Sequence, residues 1–166
     1  QLYPDMFLQI FFFFTNIIGW WRWANPRPGE ENRKKELKVS FMKRKQLLIA
    51  VITGFTGTLM LGKFASNFHH WFPIVFSLPG AYPYTDSFIA VMSIITTFFM
   101  IHKKIESWVI WIIIDITAAC LYYFKGVKFY SLEYAIFTCI ASLGLWHWIR
   151  EYKSYATVSE NKNTNE

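Results

Sequence analysis

The fold class this sequence predicts is an all-α integral membrane protein with five transmembrane helices, and three observations lead to it. Hydrophobic residues make up 54% of the 166-residue chain and aromatics 20%, well above a soluble domain's share. Five runs are nearly free of charge: Met6–Trp21, Gln46–Gly62, Ser87–Ile101, Ser107–Phe124 (interrupted by one aspartate) and Tyr134–Ile149. Lys and Arg gather in alternate connections between these runs. Each run is slightly short of the ~20 residues that cross a hydrocarbon core at ~1.5 Å per residue. Aromatic ends and snorkelling Lys or Arg complete the crossing. A soluble fold would have to hide five helices that are apolar on every face, and so short a chain has too little interior for that.

Taken in order, residues 1–23 form the first span. Residues 24–45 are a basic loop with eight Lys or Arg, the strongest topology signal in the chain. Residues 46–64 form a second span, and 65–85 an external loop without Lys or Arg, containing the Pro-rich "FPIVFSLPGAYPYTD". Residues 86–149 hold spans three to five, and 150–166 a polar tail expected to be disordered. The short "HKK" (residues 102–104) after span three and Arg150 and Lys153 after span five add positive charge on one side. By the positive-inside rule, the basic loop, that turn and the C-terminus are cytoplasmic. This topology accounts for the net charge of +6, so a nucleic-acid partner has little support. Cys120 and Cys139 lie in apolar spans and read as small buried residues. His69-His70 lacks a spaced partner, so no metal site is expected.

Spans one and five run in the same direction and end alike. Gly19-Trp20-Trp21-Arg22-Trp23 and Gly144-Leu145-Trp146-His147-Trp148 both read Gly-x-Trp-x-Trp, 125 residues apart. Upstream, "LYPD" (2–5) and "FYSLE" (129–133) start the two spans similarly. An interfacial tryptophan belt would by itself place Trp near both ends. It does not explain the paired glycines, the similar starts and the shared direction, which a parallel duplication does. Spans three to five are then one repeat, span two a linker, and span one the last helix of an earlier repeat. A seven-helix 3+1+3 bundle follows, with two further helices expected upstream of Gln1.

Helical spacing locates the chemistry. On span one, Gln9, Asn16, Trp20 and Trp23 fall within roughly 60° at ~100° per residue. The alternative is that the two amides only hold helices together. On span four, Trp108, Trp111, Asp115 and Tyr122 share a face. Asp115 lies roughly 12 Å along the helix from Ser107, where a carboxylate costs ~2.5–3.5 kcal/mol even on the lenient insertion scale. It requires water, a partner or a cationic ligand; the structural reading is a buried pair or a protonated acid. Span three presents Asp86, Ser93, Thr97 and Lys104 on one face. Asp86 reads as an N-cap, Ser93 and Thr97 as packing or lining residues, and Glu106 as a partner for Lys103 or Lys104. Flat aromatics, neutral amides, hydroxyls and one deep carboxylate suit a planar, hydroxylated, cationic solute, and nothing deep would neutralise an anion.

These residues carry a resemblance. "QLYPDMFLQIFFFFTNIIGWWRW", "DSFIAVMSIITTFFMIHKKIESWVIWIIIDITAACLYY" and "GVKFYSLEYAIFTCIASLGLWHWIREYK" together resemble the PnuC-type nicotinamide riboside transporters of bacteria. The resemblance implies a 3+1+3 fold like that of the sugar-transporting SWEET proteins. It further implies facilitated diffusion of unphosphorylated nicotinamide riboside across the bacterial inner membrane, trapping by a cytoplasmic kinase for NAD biosynthesis, and a homotrimer. Carried onto this chain, it implies Gln9, Asn16, Trp20, Trp23, Trp111 and Asp115 as substrate-binding residues, with Ser93, Thr97 and Trp108 as further lining. No catalytic residue, cofactor or metal is implied. A sister specificity, thiamine or a deoxynucleoside, stays open. So, with less support, do a membrane enzyme using Asp115 with Asp86 or Glu106, and a scaffold.

Overall fold

The computed structural model describes residues 2–32, 34–71 and 82–163, with side chains for 8–32, 34–67 and 82–155. Five helices follow one another: α1 (Leu2–Ala24), α2 (Arg44–Trp71), α3 (Pro83–Ile101), α4 (Glu106–Phe124) and α5 (Lys128–Asn163). Among the described residues, α2, α3, α4 and α5 are each long and apolar enough to cross a membrane. The boundaries differ from expectation at two places. Helix α2 runs to Trp71, beyond the expected end at residue 64, and α5 continues to Asn163 where a disordered tail was expected. The segment "SYATVSEN" contains no Gly or Pro to break a helix already started. The Pro-rich stretch at 72–81 lies outside the described residues, as do the side chains of His69, His70 and the "LYPD" start.

Helix ends follow local chemistry. Pro83 occupies the first turn of α3, where its missing N–H is unneeded. The α3–α4 turn bends through Lys103 at φ 48°, and α4 closes through Gly126 at φ 77°. Gly126 adopts that left-handed angle without the Cβ clash other residues meet.

Helix α3 is the centre of the arrangement, packed by α1, α2 and α4, and α5 packs on α4. The polarity of the surfaces is inverted relative to a water-soluble bundle. Buried positions include Thr15, Ser87, Ser93, Thr96, Thr97, Ser107 and Asp115, while Phe13, Phe14, Phe55 and Met60 are exposed. Hydrocarbon as the surrounding solvent accounts for this pattern. The hydroxyls of Thr15, Thr96 and Thr97 donate back to their own helix at 2.8, 2.6 and 2.7 Å, so they enter the interior without an unmet donor. Cys120 and Cys139 correct the expectation of burial: both are free and exposed.

The two Gly-x-Trp-x-Trp motifs occupy equivalent environments. Gly19 lies against Ile101 of α3, and Gly144 lies so close to the Trp108 indole of α4 that a Cβ would sit 2.7 Å from the ring. Trp21 and Trp146 are both 59% exposed. Trp23 and Trp148, the last members, meet edge to face with centroids 5.8 Å apart. Trp108 then packs on Trp148 at 5.3 Å. Three indoles from three helices thus form the centre of a cluster with Val39 and Ile105.

The basic loop is ordered, which charge density alone did not suggest. Leu37 and Val39 are buried under it. Its backbone pairs with the α3–α4 turn, through Ser40 N to Lys103 O and Ile105 N to Ser40 O, both 3.1 Å. Glu106, expected to pair with Lys103 or Lys104, instead accepts from the Met42 N–H at 2.9 Å. Lys103 lies 3.7 Å from Glu36 and 5.2 Å above the Trp23 ring; Lys104 donates to Ser40 Oγ at 2.8 Å. At the opposite end Asp86 is not an N-cap. It follows Tyr82, the residue at the cap position, and its carboxylate accepts from Lys125 Nζ at 2.8 and 2.9 Å. The pair ties the start of α3 to the α4–α5 turn.

Candidate functional site

The expected strip on α1 divides into three environments. Gln9 and Asn16 line one open groove of about 560 Å³, together with Ile10, Phe12, Phe13 and Phe14. Two residue types that donate and accept through the same amide group are therefore presented together on an otherwise apolar wall. Trp20 is 73% exposed and does not line this groove. Trp23 points into the bundle, where its indole N–H is shared between the carbonyls of Met100 (3.2 Å) and Ile101 (3.0 Å). Those carbonyls end α3; Met100 O also accepts from the Lys103 N–H at 3.0 Å, and Trp23 adds to this C-terminal cap from another helix. Its ring has Lys103 on one face and Trp148 at its edge.

The α4 face divides similarly. Asp115 is 5% exposed and, among the described residues, has no hydrogen bond or ion pair. An unpaired interior carboxylate is costly, which makes Asp115 a candidate contact for a cationic ligand. Trp111, one turn earlier, is half-buried and reaches Phe12 of α1 with centroids 6.3 Å apart. Phe12 also lines the groove of Gln9 and Asn16, so the α1 wall and the α4 face join through this ring pair. Trp108 packs against Gly144 and Trp148, and its Nε1 is buried without a partner among the described residues. Tyr122 stacks on Tyr134 of α5 at 5.5 Å and 6°, beneath Lys125. Ser93 and Thr97 are buried on α3, at 4% and 7% exposure.

The sequence-predicted residues thus fall into two groups. Gln9, Asn16, Trp111 and Asp115 lie in the middle stretches of α1 and α4. Trp23 and Trp108 belong to the indole cluster at the end where α1 finishes, and Trp20 faces outward. Phe12 escaped the sequence reading because it lies among four consecutive phenylalanines, whose periodicity favours no face. Among the described residues no group of three or more His, Cys, Asp or Glu is placed to hold a metal ion.

The sequence and fold of this chain are similar to those of known proteins. The curated nicotinamide riboside transporter PnuC of Escherichia coli K12 is 32% identical over 164 aligned residues, covering 90% of this chain and 67% of that protein. The protein of the same name from Neisseria mucosa is 24% identical, covering 94% of this chain and 59% of its own length. A crystal structure described as the vitamin B3 transporter PnuC superposes with a TM-score of 0.64 at 23% identity, covering 93% of this chain and 65% of that one. The chain therefore spans about two thirds of the length of these relatives. The family model described as nicotinamide mononucleotide transporter matches residues 1–150. With nearly the whole chain matched and its helices superposing on a solved relative, the chain belongs to the nicotinamide mononucleotide transporter family.

Proposed function

We propose that this chain mediates passage of nicotinamide riboside across a membrane by facilitated diffusion. The observation that carries the reading is Asp115, an interior carboxylate without a partner among the described residues, in a relative of proteins named nicotinamide riboside transporter. The riboside is a flat pyridinium cation with a carboxamide and a ribose. Asp115 offsets the ring charge, and the Trp111 indole supplies a cation–π face worth ~0.5–2 kcal/mol. Gln9 and Asn16 read carboxamide and hydroxyls. Ser93, Thr97 and Trp108 line the path, while Trp20 and Trp23 mark its cytoplasmic end. Since the described residues around this interior offer no Lys or Arg to a phosphate, the phosphorylated form is disfavoured, and phosphorylation inside the cell traps the solute. That last step belongs to a separate kinase.

The same reading includes a seven-helix 3+1+3 assembly in which α1 ends a first repeat and α3 to α5 form the second. The equivalent settings of Gly19, Trp21 and Trp23 and of Gly144, Trp146 and Trp148 support it, as does the shared direction of α1 and α5. It also includes a homotrimer in the bacterial inner membrane with a cytoplasmic C-terminus. The test is calorimetric titration of the purified protein with nicotinamide riboside, thiamine and nicotinamide mononucleotide, beside an Asp115→Asn variant. Saturable binding of the riboside, weakened about tenfold or more by loss of the charge, is the expected result. Binding of thiamine instead would assign a sister specificity, and unaltered riboside binding by the variant would remove Asp115 from the site.

A further inference from the structure

A second pocket lies at the end of the bundle where α1 and α3 finish, away from Asp115. Its volume is about 230 Å³. Arg22 from the last turn of α1, Lys38 and Ser40 from the basic loop, and His102 and Lys104 from the α3–α4 turn line it, with Glu30 as the one carboxylate. Three permanent cations against one anion leave the lining positive. The Arg22 side chain is only 14% exposed, which fixes its guanidinium in place.

The donors are only partly used. Arg22 donates through Nη2 to Glu30 and weakly through Nη1 to the Asn25 carbonyl at 3.5 Å, which leaves further N–H groups of its five. Lys104 donates to Ser40 Oγ and the Phe41 carbonyl, which leaves a third proton. Lys38 is exposed on the pocket rim, free of any ion pair among the described residues. The Lys38 and Ser40 backbones are both fixed, by bonds to Glu30 O at 2.8 Å and Lys103 O at 3.1 Å. A planar fork, two ammonium groups and a hydroxyl, held on three separately anchored segments, match the tetrahedral oxygens of a phosphate. The guanidinium and ammonium groups stand at the depth where Arg and Lys end a span.

We infer that this pocket binds a phosphate group. The chemistry is common to an anionic phospholipid headgroup and a soluble phosphate ester. It is opposite in sign to the Asp115 region, so the two sites do not compete for one ligand.

The test uses the whole chain purified in a neutral detergent. Thermal melting is followed as dioleoylphosphatidylglycerol, dioleoylphosphatidylcholine, inorganic phosphate or nicotinamide mononucleotide is added, with riboside binding measured on the same samples. A saturable upward shift with phosphatidylglycerol alone identifies a headgroup site; a shift with inorganic phosphate and the mononucleotide identifies a soluble ligand. In either case Lys38→Gln with Lys104→Gln should weaken the response about tenfold, and Arg44→Gln with Lys45→Gln, outside the pocket, should not. Where Lys104→Gln loosens the loop, the exposed Lys38→Glu alone should still weaken it. Equal weakening by both double variants would reduce the effect to diffuse attraction and overturn the inference, as would the absence of a saturable shift with every probe. Retained riboside binding in those samples would confine that failure to this pocket.

Discussion

Trp23 and Asp115 were both legible as special residues, yet sequence could not tell their tasks apart. A tryptophan at the end of a span satisfies an interfacial belt, a binding wall or a helix cap equally well. Only the fold shows its N–H meeting the last carbonyls of α3. Trp23→Phe should therefore lose about 1 kcal/mol, read as a lower melting temperature in detergent, with riboside binding kept. Trp23→Ala should lose about 3 kcal/mol or more by also emptying the indole cluster. Asp115 was found because an acid is rare in an apolar run, a signal independent of its neighbours. Phe12 carried no such signal among identical residues. Glu30 shows a pH effect at this scale. The Arg22 hydrogen bond and charge, opposed by a smaller desolvation, hold its carboxyl below the ordinary 4.5. The folded-state value is lowered, so the contribution is present above the ordinary value and is lost as pH falls through the folded one. Hydrogen exchange at the Lys38 amide, which donates to the Glu30 carbonyl, should accelerate in that acidic window relative to a Glu30→Gln variant at equal pH.

At the level of elements, the repeated motif gains a physical meaning that the string of letters lacked. Its glycines let one helix approach another, its middle tryptophans face outward, and its last tryptophans meet. Gly144 is the tighter of the two approaches, since the Trp108 ring occupies the space a Cβ would need. Gly144→Ala should cost about 1–3 kcal/mol through displacement of that ring, and near-ultraviolet dichroism should show the altered indole environment. The helices themselves were readable, because long apolar runs without alternating polar residues span lipid as helices. Their ends were less so: α5 passes its expected stop because residues 154–163 hold no Gly or Pro to end a helix already started. The basic loop hid its order for a related reason. Two apolar residues, Leu37 and Val39, hold it, and among eight cations they leave little periodicity to detect.

The whole molecule is a multi-pass membrane protein whose two ends are fastened differently. At one end Asp86 and Lys125 form an ion pair; at the other, a short backbone bridge and an indole cluster join loop, turn and helices. The positive-inside rule predicts a cytoplasmic location for the second end. Cysteine labelling in a Cys120→Ser, Cys139→Ser background checks this. Lys128→Cys should react with an impermeant maleimide in intact cells, and Glu31→Cys only after the membrane is opened. The opposite pattern would invert the topology. The indole cluster has an optical consequence as well. Trp23, Trp108 and Trp148 stand with ring centroids 5.8 and 5.3 Å apart in successive pairs, close enough for excitation to pass among them and be quenched. Any movement that parts α1 from α5 lengthens the first of these separations and relieves the quenching. The protein therefore contains its own unlabelled fluorescent gauge of whether that end is shut.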